Sequence, residues 1–489
     1  MKKKKFVAVL LCTAMAVTML AGCGSTSTVS QSQTQEKATE SDAVDEVQKS
    51  EETDEVEQVT LKVGGWPAVE GDALNRWNAV KEQFENDNPN ITIVPDTFGY
   101  DLQIFQAQAA AGTLPDLLPE IPATEISLLL GGDYIADMTD ALDRAGYTDK
   151  LNEAIIEQIS SDGKIYCLPA NVYAMGLMYD ASLMREAGLM NEDGTPVLPE
   201  TWEDLAEMAV QIKEKTGVAG FAMATINNQG GWMFVPIAWS YGVDFMEQDE
   251  DGKWQATFNT QETVDALQFI KELKWKYDVF SEDVLIDYGT CASKLATGQM
   301  GITPMAPDMA NSLAKKEMPL ENIGIMPMPS GPAKRVALSG GGRFCMTAGV
   351  TEAQKDAAIK WLEAMGYGYQ LTEDAKATVE EDLQWRLSNN VPIGMKTMSV
   401  FNDSAEVSQY KNQLYEDNCN IIIEQVQAYN DILLTTDIEY HLEEPIECQK
   451  LYGILDGCVQ EVLTNENADC AALIEEAAKE FQVILDQAE

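Results

Sequence analysis

From Thr60 onward the chain alternates short β-prone runs with amphipathic helical stretches, and few architectures accept that rhythm. Thr60-Leu-Lys-Val runs into the turn Gly64-Gly65. Leu74, Trp77 and Phe84, with the aliphatic stem of Lys81, mark one face of a helix that Asn88-Pro89-Asn90 ends. Ile91-Thr-Ile-Val starts the next strand, a helix over 102–111 stops at Gly112, and Asp116-Leu-Leu opens a third strand. The rhythm resumes with strands at 165–169, 175–179, 220–224, 300–303 and 323–326. Between them lie helices opened by Thr201, with Asp204 in the capping-box position, and over 261–275; Thr351-x-x-Gln354 opens another after the last strand. After about Gly366 helical signals dominate. Such alternation predicts largely parallel sheets covered on both faces by helices.

The chain has 489 residues, enough for two to four domains or lobes. Its 45% hydrophobic and 23% charged residues exclude wholesale disorder. A net charge of −47 argues against a general nucleic-acid-binding role, because phosphate and carboxylate repel. His441 is the only histidine, which excludes a multi-His metal site and confines any His-based triad to that residue.

The N-terminus reads as an address. Lys2–Lys5 are basic, Phe6–Leu20 is apolar but short for a membrane span, and Leu20-Ala21-Gly22-Cys23 closes the run. That tetrapeptide resembles the bacterial lipobox. Residues 1–22 are therefore expected to leave as a signal peptide, with Cys23 lipidated. Residues 23–58 carry ten acids, two lysines and no aromatic residue, the composition of a disordered acidic tether. Seven further cysteines (Cys167, Cys291, Cys345, Cys419, Cys448, Cys458 and Cys470) show no C-x-x-C spacing. They predict mostly buried free thiols, with room for one bridge among the last four.

Chemistry-bearing motifs are sparse. Glu247-x-Asp249-x-Asp251-Gly252 has calcium-loop spacing, but Phe258 stands where the bidentate acid belongs, so a turn between strands is expected. Ser339-Gly-Gly-Gly-Arg343 lacks Walker spacing; it suits either a plain turn or close approach of backbone to a ligand, with Arg343 adding a donor fork. Among 80 acidic residues nothing singles out a catalytic pair. Trp66 and Trp232 each follow a glycine pair where a strand end meets a helix, the place where open α/β sheets bind ligands, and aromatic rings stack on sugars. Trp77, Trp202, Trp275 and Trp361 sit at helical packing positions.

Seven segments in order carry a family resemblance: Phe84-Glu-Asn-Asp-Asn-Pro-Asn-Ile-Thr-Ile, Ala111-Gly-Thr-Leu-Pro-Asp116, Asp162-Gly-Lys-Ile-Tyr-Cys-Leu-Pro169, Leu177-Met-Tyr-Asp180, Pro199-Glu-Thr-Trp-Glu-Asp-Leu205, Gly298-Gln-Met-Gly-Ile302 and Ile323-Gly-Ile-Met-Pro-Met-Pro329. The chain resembles the extracellular solute-binding proteins of family 1, the maltose-binding-like components of carbohydrate ABC importers. The resemblance spans 59–489 and thins after about residue 370.

It implies an α/β, two-lobed periplasmic-binding-protein-like fold (type II): two mostly parallel sheets flanked by helices, a hinge crossed three times, and a helical C-terminal region. The crossings are expected near Pro169–Tyr173, Asn322–Met326 and Ala364–Gln370. Lobe 1 would then comprise 59–169 plus 327–365, and lobe 2 170–326 plus 366–489. Ligand would sit in the interlobe cleft. By the same resemblance Tyr173 takes the place of a polar sugar contact and Trp232 that of a stacking aromatic. Asp308 falls near a position where a relative has tryptophan. Glu120 follows the Pro-Asp strand toward the cleft floor, Arg343 follows the glycine loop, and Tyr452 lies near a late aromatic contact. The implied partners are a small-molecule carbohydrate and ABC permease subunits, with a lipid anchor on the outer face of the bacterial cytoplasmic membrane. The expected protein is a monomer that takes no cofactor and no metal, binds no nucleic acid and is not an enzyme. A binding protein for a polyol phosphate or peptide, a surface glycosidase and an adhesin are the alternatives.

Overall fold

The computed structural model describes residues 57–433, 435 and 437–488; the leader, Cys23 and the acidic stretch through residue 56 lie outside the described residues. The first sheet grows from Val59–Val63, which pairs in parallel with Ile91–Pro95, Val59 opposite Ile91. Val59, Leu61 and Val63 are buried and Thr60 is exposed, the period-two pattern of a strand with one face on a core. Leu117 bridges Val63 in parallel and Met346 in antiparallel sense. Gly342–Cys345 then pairs antiparallel with Ile121–Pro122 on one side and Cys167–Pro169 on the other.

The second sheet runs in the order Ile323–Met326, Gly176–Asp180, Met300–Met305, Ala219–Phe221. All five residues of Gly176–Asp180 are buried, so helices cover both faces. Thr201 opens one of them, Trp202–Thr216: its hydroxyl accepts from Asp204 N at 3.1 Å and its own N–H donates to Asp204 Oδ2 at 2.9 Å. That reciprocal cap contributes on the order of 1 kcal/mol.

In each sheet one strand opposes the rest. In the second it is Gly176–Asp180, antiparallel to both neighbours, while Met300–Met305 and Ala219–Phe221 are parallel. In the first it is Gly342–Cys345. Both are the first strand the chain lays down after passing from the other lobe, so they enter from the hinge edge and run against the strands of that lobe. Between the lobes a small sheet pairs Val336–Gly340 antiparallel with Tyr173–Ala174 and parallel with Glu439–His441.

This pairing moves two of the expected crossings. Before the first expected passage Cys167–Pro169 pairs in the first sheet, and after it Tyr173–Ala174 pairs in the small sheet. The second is at Gly341 and not at 322–326, because Ile323–Met326 is hydrogen-bonded inside the second sheet. The third is not at 364–370. Beyond Gly366 the chain still packs on the first lobe: Tyr369 meets Tyr147 edge-on at 4.9 Å, Phe401 bridges Leu151, and Asn402 donates to the Asp149 carbonyl. The passage falls after helix Glu406–Asp417, since the Gln425 carbonyl accepts from Tyr179 in the second lobe at 2.7 Å. The helical signal could not locate it, because helices of either lobe have the same amphipathic period.

The C-terminal helices Cys448–Thr464 and Cys470–Ala488 close the second lobe. Trp275 Nε1 donates to the Val462 carbonyl, and Gln460 Nε2 to that of Thr225. All seven described cysteines are free, and the room for a bridge among the last four goes unused: Cys458 Sγ turns to the Leu473 carbonyl and Cys470 Sγ to Gln268 Oε1. Residues 249–253 form the expected hairpin turn, with Asp249 Oδ1 accepting from the backbone N–H groups of Asp251 and Lys253.

Candidate functional site

Three glycines at the passage between the lobes decide which side chains meet there. Gly341 has φ +127°, and a Cβ on it would lie 2.2 Å from the Asn171 carbonyl oxygen. A Cβ on Gly340 would lie 2.4 Å from the Tyr173 hydroxyl oxygen, and one on Gly342 1.8 Å from Glu120 Oε1. The glycine run thus lets Tyr173, Asn171 and Glu120 close on the backbone. Asn171 ties them together: its Nδ2 donates to Glu120 Oε1 at 2.8 Å and its Oδ1 accepts from Gly342 N at 3.3 Å.

Arg343 departs from its expected role. It is fully buried, and its Nη1 donates to the carbonyls of Asn171 and Gly342 while Nη2 donates to Gln158 Oε1. Burial pushes the guanidinium pKa down. The fork predicted to meet a ligand instead holds the hinge backbone and the Gln158 side chain.

Trp66 departs likewise. Only 5% of it is exposed, its ring stacks on Trp361 at 5.8 Å, and Trp77 meets it edge-on at 5.0 Å. Phe84 completes the cluster against Trp361. The preceding glycines serve packing: a Cβ on Gly64 would lie within 3 Å of Pro115 and Pro119. Trp66 is a core residue of the first lobe.

Trp232 differs. It lies in helix Gln229–Ser240, whose N-terminus is capped from another helix: Asp456 carboxylate oxygens accept from Asn228 N and Gly231 N at 2.7 and 2.8 Å. A Cβ on Gly231 would lie 2.2 Å from the Tyr452 carbonyl, so the glycine pair admits helix Cys448–Thr464. This contact orients the half-buried Trp232, whose Nε1 donates to Glu443 Oε1 at 3.1 Å and whose ring meets Tyr288 edge-on at 5.4 Å. The Tyr288 hydroxyl accepts from Ala306 N at 2.9 Å, two residues before Asp308.

Around Trp232 the charges are carboxylates. Burial raises the Glu443 pKa, Tyr452 and Trp232 counter it by favouring the charged form, and Glu125 of the first lobe raises it further. Burial, Glu443 and Asp308 together push the Tyr173 hydroxyl up. Glu125 accepts from the Tyr100 hydroxyl at 2.9 Å. The site therefore joins Tyr100, Glu120 and Glu125 of the first lobe to Tyr173, Trp232, Tyr288, Asp308 and Glu443 of the second. Of the residues named from sequence, Glu120, Tyr173, Trp232 and Asp308 come together here, with Tyr452 buried behind Glu443; Trp66 and Arg343 do not. Sequence reasoning missed Glu125, Tyr288 and Glu443. Glu443 lies before Pro445 in the connection between strand Glu439–His441 and helix Cys448–Thr464, with Glu439, Glu444 and Glu447 beside it, so nothing in the sequence singles it out.

The arrangement can accept hydrogen bonds from hydroxyl or ammonium groups and present aromatic faces to C–H surfaces. A separate groove of about 590 Å³, lined by Arg76, Gln83, Lys360, Asp374 and Glu381 among others, shares no residue with it. Among the described residues no group of three or more His, Cys, Asp or Glu could hold a metal ion, and no helix is long and apolar enough to cross a membrane.

The family description of the bacterial extracellular solute-binding protein matches residues 79–378, more than half of the chain. The chain belongs to this family. Its members bind solutes outside the cytoplasm and are not enzymes. Among relatives of this solute-binding protein, an arabinooligosaccharide-binding protein of Halalkalibacterium halodurans is 29% identical over 212 residues, 42% of this chain and 43% of that one. The sn-glycerol-3-phosphate-binding periplasmic protein UgpB of Escherichia coli is 25% identical over 324 residues, 63% and 70% of the two chains. The chain thus spans less than half the length of the first of these relatives. The solved structure of the sugar-binding protein MalE from Xanthomonas citri superposes with a TM-score of 0.65 at 16% identity, covering 88% of this chain and 98% of that one. The cyclic alpha-maltosyl-1,6-maltose binding protein from Arthrobacter globiformis does so at 0.63 and 19%, covering 88% and 99%. The fold is the two-lobed one of the maltose-binding type.

Proposed function

We propose that this solute-binding protein captures a carbohydrate, a neutral or cationic mono- or oligosaccharide, between its lobes and delivers it to the membrane permease of an ABC importer. One observation carries the reading: carboxylates and aromatic rings of both lobes lie about the passage between them, with Glu125 held by Tyr100 and Trp232 held by Glu443. Sugar hydroxyls donate to such carboxylates, and the apolar face of a sugar ring lies against indole. A ligand that touches both lobes only when they are closed shifts the population toward the closed form by its extra affinity for that form. A permease that distinguishes the two forms then receives loaded protein. Exported by its leader and held by lipid on Cys23, the protein works at the outer face of the cytoplasmic membrane, as a monomer.

The similarity to UgpB raises a polyol phosphate as a second ligand class. Phosphate recognition calls for cationic donors, and the hinge arginine, Arg343, is fully buried and bonded to protein carbonyls. The reading therefore favours sugars. Thermal unfolding of the protein against panels of neutral sugars, amino sugars and polyol phosphates tests it. A ligand at a hundred times its dissociation constant stabilises by about 2.7 kcal/mol. Stabilisation by sugars supports the proposal; stabilisation by phosphates alone, or release of reducing sugar from a polymer, overturns it.

A further inference from the structure

Two of the free thiols face each other across paired strands. Cys167 and Cys345 are register partners where Cys167–Pro169 pairs with Gly342–Cys345, and both are fully buried. The Cys345 carbonyl accepts from Leu118 N at 2.9 Å, on the far side of its strand. The Gly342 carbonyl accepts from Ala170 N at 2.9 Å, toward the Cys167 side. Backbone groups alternate sides along a strand, so Cys167 and Cys345 form a non-hydrogen-bonded pair. Such partners stand about 4.5 Å apart at Cα, with side chains close together on one face of the sheet. A disulfide spans Cα separations of about 4.4–6.8 Å. Arg343, two residues along and so on the same face, offers a cation that favours the Cys345 thiolate, against the larger effect of burial.

We propose that Cys167 and Cys345 are a dithiol–disulfide couple that staples together the first-lobe ends of two hinge passages. The oxidant is a disulfide X–S–S–X outside the cytoplasm, small or protein-borne. One cysteine thiolate attacks it, X–S⁻ leaves, and a mixed disulfide forms. The other cysteine thiolate then attacks the cysteine sulfur of that mixed bond and displaces the second X–S⁻. Two electrons and two protons pass from the cysteines to X–S–S–X, which becomes two X–SH. Because both sulfurs are buried, the exchange takes place while the strands are apart, during folding or in a transient opening. One strand of the pair leads into Asn171 and the other follows Gly341, so the link fixes the frame that holds Asn171 and Glu120 without touching the ligand-facing rings.

The test uses the full chain, unfolded and reduced, then refolded in a buffer of glutathione and glutathione disulfide. Remaining thiols are alkylated under denaturing conditions and the digest is mapped by mass spectrometry. The expected result is one linked peptide pair, Cys167 with Cys345, and alkylation of the other five described cysteines. The oxidised protein should melt ~5 °C above the same protein in reductant, because the link closes a long loop of the unfolded chain. That difference should vanish in the C167A/C345A variant; if the variant does not fold, the peptide map on the unaltered chain decides alone. Full alkylation of both cysteines after refolding in the disulfide buffer overturns the proposal, as does their linkage to other cysteines.

Discussion

Gly64-Gly65-Trp66 and Gly230-Gly231-Trp232 are the same tripeptide, one after a strand of the first lobe and one in the first turn of a helix of the second, and they end in opposite situations. In the first lobe the glycines admit Pro115 and Pro119, and the indole is sandwiched into a cluster with Trp77 and Trp361. In the second they admit helix Cys448–Thr464, which caps the tryptophan's helix through Asp456 while the segment just before it sets Glu443 beneath the indole nitrogen. A local motif marks where backbones approach closely. What approaches, and whether a ring face stays open, depends on partners outside the motif, Pro115 and Pro119 in one lobe and Glu443 and Asp456 in the other.

The contrast predicts that truncating the two tryptophans separates stability from binding. Trp66→Ala opens a cavity among packed rings and should lower the unfolding free energy by about 3–5 kcal/mol in denaturant titration, with ligand affinity within about threefold of the unaltered protein. Equal loss of affinity and stability would place Trp66 in the site after all. Gly341→Ala tests the hinge against either lobe. At φ +127°, with the Asn171 carbonyl 2.2 Å from the added carbon, it should cost about 3 kcal/mol by the same measurement. A cost under about 1 kcal/mol would show that the passage bends elsewhere.

Glu444 lies next to Glu443 in the second lobe. It accepts from Trp239 Nε1 at 3.0 Å, and burial pushes its pKa up to about 7. A carboxyl raised in the folded state is stable when protonated, so its contribution is intact below the unfolded pKa of about 4.5 and is lost as pH rises toward 7. Glu444→Gln keeps the acceptor and removes the charge. It should flatten the fall in stability across that window and leave the variant more stable by about 2–3 kcal/mol above pH 7. A variant no more stable at pH 8 than the unaltered protein would contradict the assignment. Trp232→Ala completes the series. It should weaken ligand binding at least tenfold, about 1.4 kcal/mol, while costing less stability than Trp66→Ala, because the ring is half-buried.

Much of the fold was legible because strand and helix periods differ and glycine, proline and capping residues punctuate them. Val59–Val63, Ile91–Pro95 and the Thr201 cap follow from that alone. The second hinge passage was not legible, because Ile323–Met326 and Gly342–Cys345 are both short buried strands, and only pairing tells which sheet each joins. In the site, Tyr173, Trp232, Glu120 and Asp308 were reachable through the family resemblance. Glu125 and Glu443 were hidden among 80 acidic residues, since what distinguishes them is the aromatic partner the fold gives each, Tyr100 for one and Trp232 for the other. Arg343 was misread because a guanidinium after glycines looks available until the Asn171 and Gly342 carbonyls close on it.

In the proposed function one ligand is held by both lobes at once. Glu125→Gln and Glu443→Gln take one carboxylate from each side, and isothermal titration with the sugar found in the thermal screen reads the result. Each change should weaken binding at least tenfold while the melting temperature without ligand stays within a few degrees. Unchanged affinity in either variant would confine the ligand to a single lobe and contradict it.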